Sequence, residues 1–350
     1  MSNKVLTIII PSYNMERYLS RCLGSLLVSP EKMPLFEALI INDGSKDNTS
    51  AVAKDYVARF PDSFRLIEKD NGHYGSCVNR GLNEAQGVFV KILDADDSFN
   101  NSEFEAFLDF LSGETIRNSA DLVLSDYCNV TGDGAVVGEC RYHGYDGEFA
   151  LSDITDNDVR QWFIHGLTYR LDILRSINYH QTEGIAYTDH EWSFVPLAPV
   201  RKAVHFNQIL YRYTVGRDGQ SISPRQHAKN LWMEERVIEN MLEHYKDMTI
   251  TQYSGKFIEK RLVADIENLY NLYLVLLYPY LSSLKPLEHL DARLREQFPI
   301  LYEQTNLFRT TVAHIHFFTI RNWRKGETGK IKMQRLLYVM ADKLNRILSR

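Results

Sequence analysis

The first hundred residues alternate between short, continuously apolar runs and segments whose apolar residues recur at helical spacing. The apolar runs are typical of strands buried on both faces of a sheet, and they lie at residues 5–10, 36–41, 64–68 and 88–93. Helical spacing follows at 17–28 and 79–85. This alternation predicts right-handed crossover units, and therefore an α/β fold with a mostly parallel sheet between flanking helices.

Each predicted strand is followed by a cluster of polar residues. The clusters occupy residues 11–14, 42–45, 70–73 and 94–97. In parallel sheets of this kind, ligands bind beyond the carboxyl ends of the strands. We therefore expect the four clusters to form one site, which no single cluster would establish alone.

The second part of the chain has a different pattern. Long stretches of helical periodicity predict helices at 231–245, 257–280 and 332–348. A length of 350 residues also suggests about two domains. We expect an α/β domain at 1–225 and a mainly helical region at 226–350.

Composition and charge narrow the class of protein. An apolar content of 44% is ample for a packed core, and a net charge of −5 argues against a nucleic-acid partner. The four cysteines are far apart, a spacing that fits neither a zinc site nor a disulfide framework. The longest apolar stretch, residues 269–281, is interrupted by Asn271 and Pro279 and is shorter than the roughly 20 residues of a membrane span. Together with an N-terminus that does not resemble a signal peptide, these features predict a cytoplasmic protein.

The strongest chemical signal is a group of three carboxylates within four residues, Asp94, Asp96 and Asp97, directly after a buried strand. A divalent cation would offset their mutual repulsion and lost hydration, and oxygen ligands suit Mg²⁺ or Mn²⁺. Asp94 and Asp96 would point in one direction if strand geometry continued. The alternative is a structural cluster that caps the helix predicted to begin near Ser102.

In order and spacing, these motifs resemble those of family 2 glycosyltransferases, which have the GT-A fold. The motifs are PSYN at 11–14, INDGS at 41–45, NG at 71–72 with NRGL at 79–82, AQG at 85–87 and LDADD at 93–97. The resemblance covers roughly residues 4–220. It implies a nucleotide-sugar half at about 1–100 and an acceptor half at about 101–225.

The resemblance also implies roles for single residues. Pro11 and Tyr13 would border the nucleobase, and Asp43 would accept a hydrogen bond from the uracil ring N–H. Asp94 would lie against the ribose, and Asp96 would hold a metal that neutralises the diphosphate leaving group. Further implied nucleotide-sugar contacts are Asn14, Asn71, Asn79, Ala95 and Arg217, with His73, Asp97 and Ser221 as additional candidates.

Some of these roles have alternatives. Asp43 also suits a tight turn, which is compatible with nucleobase binding. Arg217 lies where the family has a mobile basic segment, and it could clamp a phosphate or belong to a solvated glycine loop. Cys77 and His73 depart from residues that are common in the family, so the sequence does not identify the sugar.

A second acidic site is predicted around Asp189. The family has an acidic pair here that opens a helix, and its aspartate is the catalytic base; Thr188 replaces the first acid, so Asp189 matches that base. Inverting transfer needs one base beside the acceptor hydroxyl. Glu191 is the alternative base, and a purely structural capping box formed by Thr188 and Glu191 is a third interpretation.

The resemblance therefore implies an inverting, metal-dependent transfer of a sugar from a UDP-sugar to a glycan or lipid-linked acceptor. The pathway it implies is bacterial surface polysaccharide or teichoic acid synthesis. The competing hypothesis is a catalytically retired sugar-binding or scaffold protein with the same fold. A nucleotidyltransferase would need a glycine-rich, basic phosphate loop near the N-terminus, and residues 11–14 do not form one.

The C-terminus has its own charge pattern. Residues 321–350 hold nine Lys and Arg against two acids, a net charge of +7, and apolar residues recur there at three- and four-residue spacing. A basic amphipathic helix of this kind can lie on the anionic inner face of the cell membrane. The alternatives are packing on the catalytic domain or on a second subunit in a homo-oligomer.

Overall fold

The computed structural model of the chain describes residues 4–142, 145, 147–154, 159–216, 223–248, 253–312 and 314–348. It divides into two units, one formed by residues 1–221 and 243–258 and the other by residues 222–242 and 259–350.

The first unit contains one curled, mixed α/β sheet with flanking helices, which confirms the predicted fold class. The apolar runs at 5–10, 36–41 and 88–93 form its parallel centre, because nearly all their side chains are buried on both faces, whereas the run at 64–68 lies at an edge and is partly buried. The strands are β1 (Leu6–Ser12), β2 (Phe36–Asp43), β3 (Phe64–Lys69), β4 (Phe89–Ile92), β5 (Ser98–Phe99), β6 (Leu122–Val130), β7 (Val136–Cys140), β8 (Glu148–Phe149), β9 (Leu167–Arg170) and β10 (Ala203–Thr214).

The order of the strands brings the predicted polar clusters together. Along the sheet it is β3-β2-β1-β4-β9-β6-β10-β5, with β7 beside β6 and β8 beside β10. β1, β2, β3 and β4 pair in parallel, and the register places Ser12 opposite Asn42 and Asp43 opposite Lys69. β9 and β5 run antiparallel to their neighbours. The carboxyl ends of β1 to β4 therefore share one edge.

The helices of the first unit cover the sheet. Between residues 1 and 200 they are α1 (Leu19–Gly24), α2 (Thr49–Arg59), α3 (His73–Glu84), α4 (Asn101–Ser112), α5 (Glu114–Ser119), α6 (Leu171–Ser176) and α7 (Asp189–Trp192). α1 is shorter than the periodicity at 17–28 predicts.

Helix α3 begins at His73, six residues before the predicted start at Asn79. Its first turn contains Gly75, a residue that disfavours helices. A Cβ atom at Gly75 would lie 1.9 Å from the carbonyl oxygen of Thr182, so glycine is what allows this backbone approach. The packing of α3 against the segment around Thr182 thus overrides helix propensity.

The second part of the chain is mainly helical. Its helices are α8 (Pro224–Asp247), α9 (Gly255–Asn271), α10 (Lys285–Gln297), α11 (Pro299–Thr305), α12 (Thr319–Arg324) and α13 (Thr328–Leu348), with a hairpin of β11 (Thr310–Val312) and β12 (Ile315–Phe317). The helix predicted at 257–280 is not continuous: α9 ends at Asn271, a π-turn spans Leu272–Leu276, and Pro279 lies in a separate 3₁₀ turn. No helix in the described parts of the chain is long and apolar enough to cross a membrane.

Candidate active site

A cleft of about 480 Å³ opens at the carboxyl ends of the parallel strands. The polar clusters after β1, β2, β3 and β4 all contribute to it, as the strand order requires. The residues that line it are Pro11, Ser12, Tyr13, Met15, Asp43, Asn71, His73, Tyr74, Cys77, Asp94, Ala95, Asp96 and Tyr213.

Asp43 is a buried carboxylate at the end of β2, and it is held in place from two sides. Its Oδ1 accepts hydrogen bonds from the Lys69 Nζ at 2.6 Å and from the backbone N–H of Gly72 at 2.9 Å. Asn71 donates its side-chain amide to the Asp43 carbonyl at 3.0 Å. Lys69, the last residue of β3, thus fixes a negative charge at the floor of the cleft.

The rim of the cleft near β1 is formed by Tyr13, and Asn14 follows it in the chain. Tyr13 is exposed, as an aromatic ring that meets a ligand must be. Asn14 does not line the cleft: its Oδ1 accepts the Lys46 backbone N–H at 2.8 Å, and its own N–H donates to Ser45 Oγ at 3.0 Å. Asn14 therefore joins the loop after β1 to the loop after β2.

The loop after β4 presents its three carboxylates at different depths. Asp94 and Asp96 line the cleft, and Asp94 Oδ1 accepts the Tyr74 hydroxyl at 2.8 Å. Asp97 is completely buried below them; its Oδ2 accepts the Tyr211 hydroxyl and its Oδ1 the Thr214 N–H, both at 2.7 Å. Asp97 therefore ties this loop to β10.

Burial raises the pKa of the Asp97 carboxyl well above its ordinary value, and the nearby charges of Asp94 and Asp96 raise it further. Repulsion among the three carboxylates is therefore a property of the folded chain. The hydrogen bonds from Tyr211 and Thr214 oppose this shift without cancelling it. A cation bound at this loop would relieve the repulsion.

Asp94, Asp97 and His165 form a group whose possible metal-ligating atoms all lie within 4.8 Å of one another. Among the described residues, the buried His165 Nδ1 has no hydrogen-bond partner. Burial, followed by the neighbouring charge of Lys91, lowers the pKa of His165 to about 3, so the imidazole is neutral and can act as a ligand. The donor set fits a divalent cation.

Asp189 is half-buried and begins α7. Burial raises the pKa of Tyr74 well above its ordinary value, followed by the charges of Asp94 and then Asp189. The pKa of Tyr213, another residue of the cleft, is raised by burial and also by the charge of Asp189. Asp189 and the acidic loop therefore act electrostatically on the same two tyrosines.

Glu191 is almost completely buried and anchors a loop. Its two carboxylate oxygens accept the N–H and the hydroxyl of Thr182 at 2.7 and 2.6 Å. Thr188 makes no side-chain cap on α7; its hydroxyl instead accepts the Gln181 side-chain amide at 3.0 Å. The predicted capping box is therefore not formed, and both residues hold the segment that precedes Asp189.

Asn79 is buried away from the residues that line the cleft. Its amide NH₂ donates to the Gln181 carbonyl and to Glu183 Oε1, and its Oδ1 accepts the Gln181 N–H, each at 2.8 Å. These bonds fasten α3 to the same segment that Glu191 holds. The structure thus places Asn79 beside the Asp189 segment, apart from the cleft-lining group.

Three residues at the site have left-handed backbone geometry although they are not glycine. They are Asn14, His73 and Tyr187, with φ of 55°, 65° and 67°. Such conformations cost roughly 1 kcal/mol or more outside glycine and concentrate at functional positions. Tyr187 lies two residues before Asp189. Its left-handed conformation is unfavourable for tyrosine, so the surrounding structure must hold the backbone in this conformation.

Two predicted site residues lie outside the described structure, and three residues of the site were not predicted from the sequence. Arg217 and Ser221 lie outside the described residues. Lys69, Tyr211 and His165 were missed. Only Lys69, which lies between a predicted strand and a polar cluster, carried a local signal that could have identified it.

Comparison with known proteins identifies a related family. Residues 7–131 match the family model described as glycosyl transferase family 2. The minor teichoic acid biosynthesis protein GgaB of Bacillus subtilis is 26% identical over 238 residues, which cover 66% of this chain. The matched part spans only 25% of GgaB.

Two solved structures share the fold. The crystal structure of S. aureus TarS residues 1–349 in complex with UDP-GlcNAc has a TM-score of 0.56 and 18% identity, and the match covers 89% of this chain and 95% of that one. The mannosyltransferase PcManGT of Pyrobaculum calidifontis, in complex with GDP-Man and Mn²⁺, has a TM-score of 0.51 and 16% identity, over 95% of this chain and 86% of that one.

Proposed function

Because the chain belongs to glycosyl transferase family 2, we propose that it moves a sugar from a UDP-sugar to an acceptor hydroxyl with inversion at the anomeric carbon. The observation that carries this proposal is the convergence of four strand ends on one cleft of about 480 Å³. A pocket of this size suits a nucleotide-sugar. TarS, whose fold is similar, was crystallised with UDP-GlcNAc.

In this proposal the nucleobase lies between Tyr13 and Asp43. The uracil ring offers one N–H donor, and the Asp43 carboxylate retains acceptor capacity beyond the bonds from Lys69 and Gly72. The ion pair with Lys69 orients that carboxylate. Asp94 takes the ribose, with the Tyr74 hydroxyl bonded to the same carboxylate.

A divalent cation, Mn²⁺ or Mg²⁺, would be held at the loop after β4. Asp96 is the proposed ligand, and Asp94 and His165, whose possible ligating atoms lie within 4.8 Å of each other, are additional candidates. Asp97 is the poorer ligand because both its oxygens already accept hydrogen bonds. When bound, the cation would neutralise the charge that develops on the departing diphosphate.

Asp189 is the proposed general base. Inverting transfer requires the acceptor hydroxyl to lose its proton as it attacks the anomeric carbon, and the half-buried Asp189 carboxylate would take that proton from the side opposite the diphosphate. Glu191 is less suited to this role, because both its oxygens are occupied by Thr182. No covalent intermediate with the enzyme is required.

The proposed acceptor is a glycan or a lipid-linked glycan of a bacterial surface polymer. Support comes from the relationship to GgaB, which is named for minor teichoic acid biosynthesis. Because the matched part spans a quarter of GgaB, the pathway is proposed by analogy. A lipid-linked acceptor would place the enzyme at the inner face of the cell membrane.

Donor binding tests the proposal directly. Calorimetry in Mn²⁺ should detect UDP binding, and Asp43→Asn should weaken it at least tenfold, because one charge-assisted hydrogen bond of about 1.5 kcal/mol or more is lost. Asp55→Asn, at an exposed position on α2, is the matched control and should bind UDP normally. Equal affinity of the wild type for UDP and GDP, or an Asp43→Asn protein with unchanged affinity, would contradict the uracil assignment.

A further inference from the structure

Helix α13 exposes a row of large apolar side chains. The exposed fractions are 46% for Met333, 61% for Leu336, 49% for Val339 and 58% for Met340. Scattered exposed apolar residues are common on proteins, but five within eight residues of one helix, the fifth being Tyr338 at 42%, form a patch. Such a patch indicates a surface that binds something apolar.

The same helix is attached to its own unit by its other side. Ile331 and Gln334 are buried, and the Gln334 amide donates to Thr310 Oγ1 at 2.8 Å. Arg335 donates to the Leu274 carbonyl at 2.6 Å and stacks on the ring of Tyr278. Among the stripe residues whose side chains the structure describes, Ile331 therefore faces the core, whereas Met333, Leu336 and Met340 are exposed.

Three of the five exposed apolar residues lie on one face, and the exposed Tyr338 lies on another side of the helix. At 3.6 residues per turn, Met333, Leu336 and Met340 recur at three- and four-residue steps, and Lys332 borders them on the same exposed side. We define Met333, Leu336 and Met340 as the outer face of α13. This face is opposite to the one that carries Ile331.

Charge distinguishes between the occupants that an apolar helix face could have. From Thr328 to Leu348 the chain carries five Lys and Arg and one acid, Asp342, whereas the whole chain has a net charge of −5. Lys330 and Lys332 are exposed. Positive charge beside an exposed apolar row complements a surface that is both anionic and apolar, and a bilayer with anionic headgroups has these two properties.

We propose that the outer face of α13 docks on an anionic lipid bilayer, with Met333, Leu336 and Met340 inserted at the headgroup boundary and the lysines among the headgroups. A second copy of this chain is the alternative occupant. It is disfavoured because two such helices would bring like charges together. The docking does not depend on the sugar-transfer activity. It would hold the protein at the membrane surface.

Vesicle co-sedimentation tests this proposal with the full chain. Binding of the protein to anionic vesicles is compared with binding to neutral vesicles, each at low and at high salt. The anionic vesicles contain phosphatidylcholine with about 30 mol% phosphatidylglycerol, and the neutral vesicles contain phosphatidylcholine alone. The wild type should bind the anionic vesicles and should not bind the neutral ones. Its binding to the anionic vesicles should be at least tenfold weaker at high salt. The double substitution Leu336→Gln/Met340→Gln should reduce binding about tenfold or more.

Two controls keep the experiment decisive. Val137→Gln replaces a comparably exposed apolar residue on β7 and should bind like the wild type. Binding of UDP by the Leu336→Gln/Met340→Gln protein should be unchanged, which shows that it has folded. The proposal is overturned if the wild type ignores anionic vesicles, if it binds neutral vesicles equally well, or if the double substitution only converts an oligomer to a monomer in light scattering.

Discussion

The most informative single substitution is Asn79→Ala. The resemblance to the family suggests that Asn79 contacts the nucleotide-sugar, whereas its hydrogen bonds fasten α3 to Gln181 and Glu183. The two interpretations predict opposite results. A role in fastening the segment before Asp189 predicts lost stability and lost turnover, and a role in donor binding predicts lost affinity for UDP.

The size of the effect follows from the contacts. Asn79→Ala leaves the N–H and the carbonyl of the fully buried Gln181 without their partner, at about 1–3 kcal/mol for each group. Alanine regains about 0.5 kcal/mol of helix propensity. We therefore expect the free energy of unfolding to fall by about 1.5–5.5 kcal/mol. Turnover should fall tenfold or more, because Gln181 also holds Thr188, next to the proposed base.

Urea unfolding, calorimetry with UDP and release of UDP from a donor sugar would be measured on the same preparations. Asn83→Ala is the matched control: it lies one turn later on α3, is exposed, and should be as stable as the wild type or slightly more stable. The UDP affinity of Asn79→Ala should stay within about twofold of the wild type, since Asn79 does not line the cleft. A stable Asn79→Ala protein with much weaker UDP binding would refute this reasoning and restore the direct role.

Three further outcomes are expected. Asp96→Asn should abolish transfer and weaken Mn²⁺-dependent UDP binding while the fold is retained; equal activity of the wild type in EDTA and in Mn²⁺ would exclude metal dependence. Glu191→Gln should lower turnover about tenfold without changing the pH at which activity rises, because Glu191 positions the Thr182 segment; a shifted pH profile would instead mark it as the base. His227→Gln should destabilise the chain more at pH 6 than at pH 9. The hydrogen bond to Glu234 raises the pKa of His227 above its ordinary 6.5, so the stabilisation that the protonated His227 contributes is lost as the pH rises through that raised value. Urea unfolding at both pH values measures the difference.

The sheet and the cleft could be predicted because their signals are local. A continuous apolar run followed by a polar cluster identifies both a buried strand and the ligand end of that strand, as β1 and β2 illustrate. The acidic loop at Asp94 and Asp96 could also be predicted from the sequence, because neighbouring carboxylates directly after a buried strand repel one another and therefore indicate a cation site. These residues indeed line the cleft.

Other parts of the site depend on contacts that no local pattern contains. The hydroxyl of Tyr211 reaches Asp97 across 114 positions of sequence, and His165 enters the site from a 3₁₀ turn with no distinctive neighbours. Glu191 was a candidate base by position, and only its bonds to Thr182 show that it anchors a loop. Asn79 was assigned by its motif, and the motif could not reveal which partner its amide faces.

Release of UDP from a panel of UDP-sugars, with and without EDTA, tests the central claim most directly. The account predicts that at least one UDP-sugar is turned over by the wild type in Mn²⁺ and that EDTA abolishes the reaction. It also predicts that Asp189→Asn keeps its UDP affinity within a few-fold while the rate falls by roughly 10² or more, the size expected for the loss of a general base. If the wild type releases no UDP from any donor, the catalytically retired protein is the better description, and if Asp189→Asn releases UDP at the wild-type rate, Asp189 is not the base.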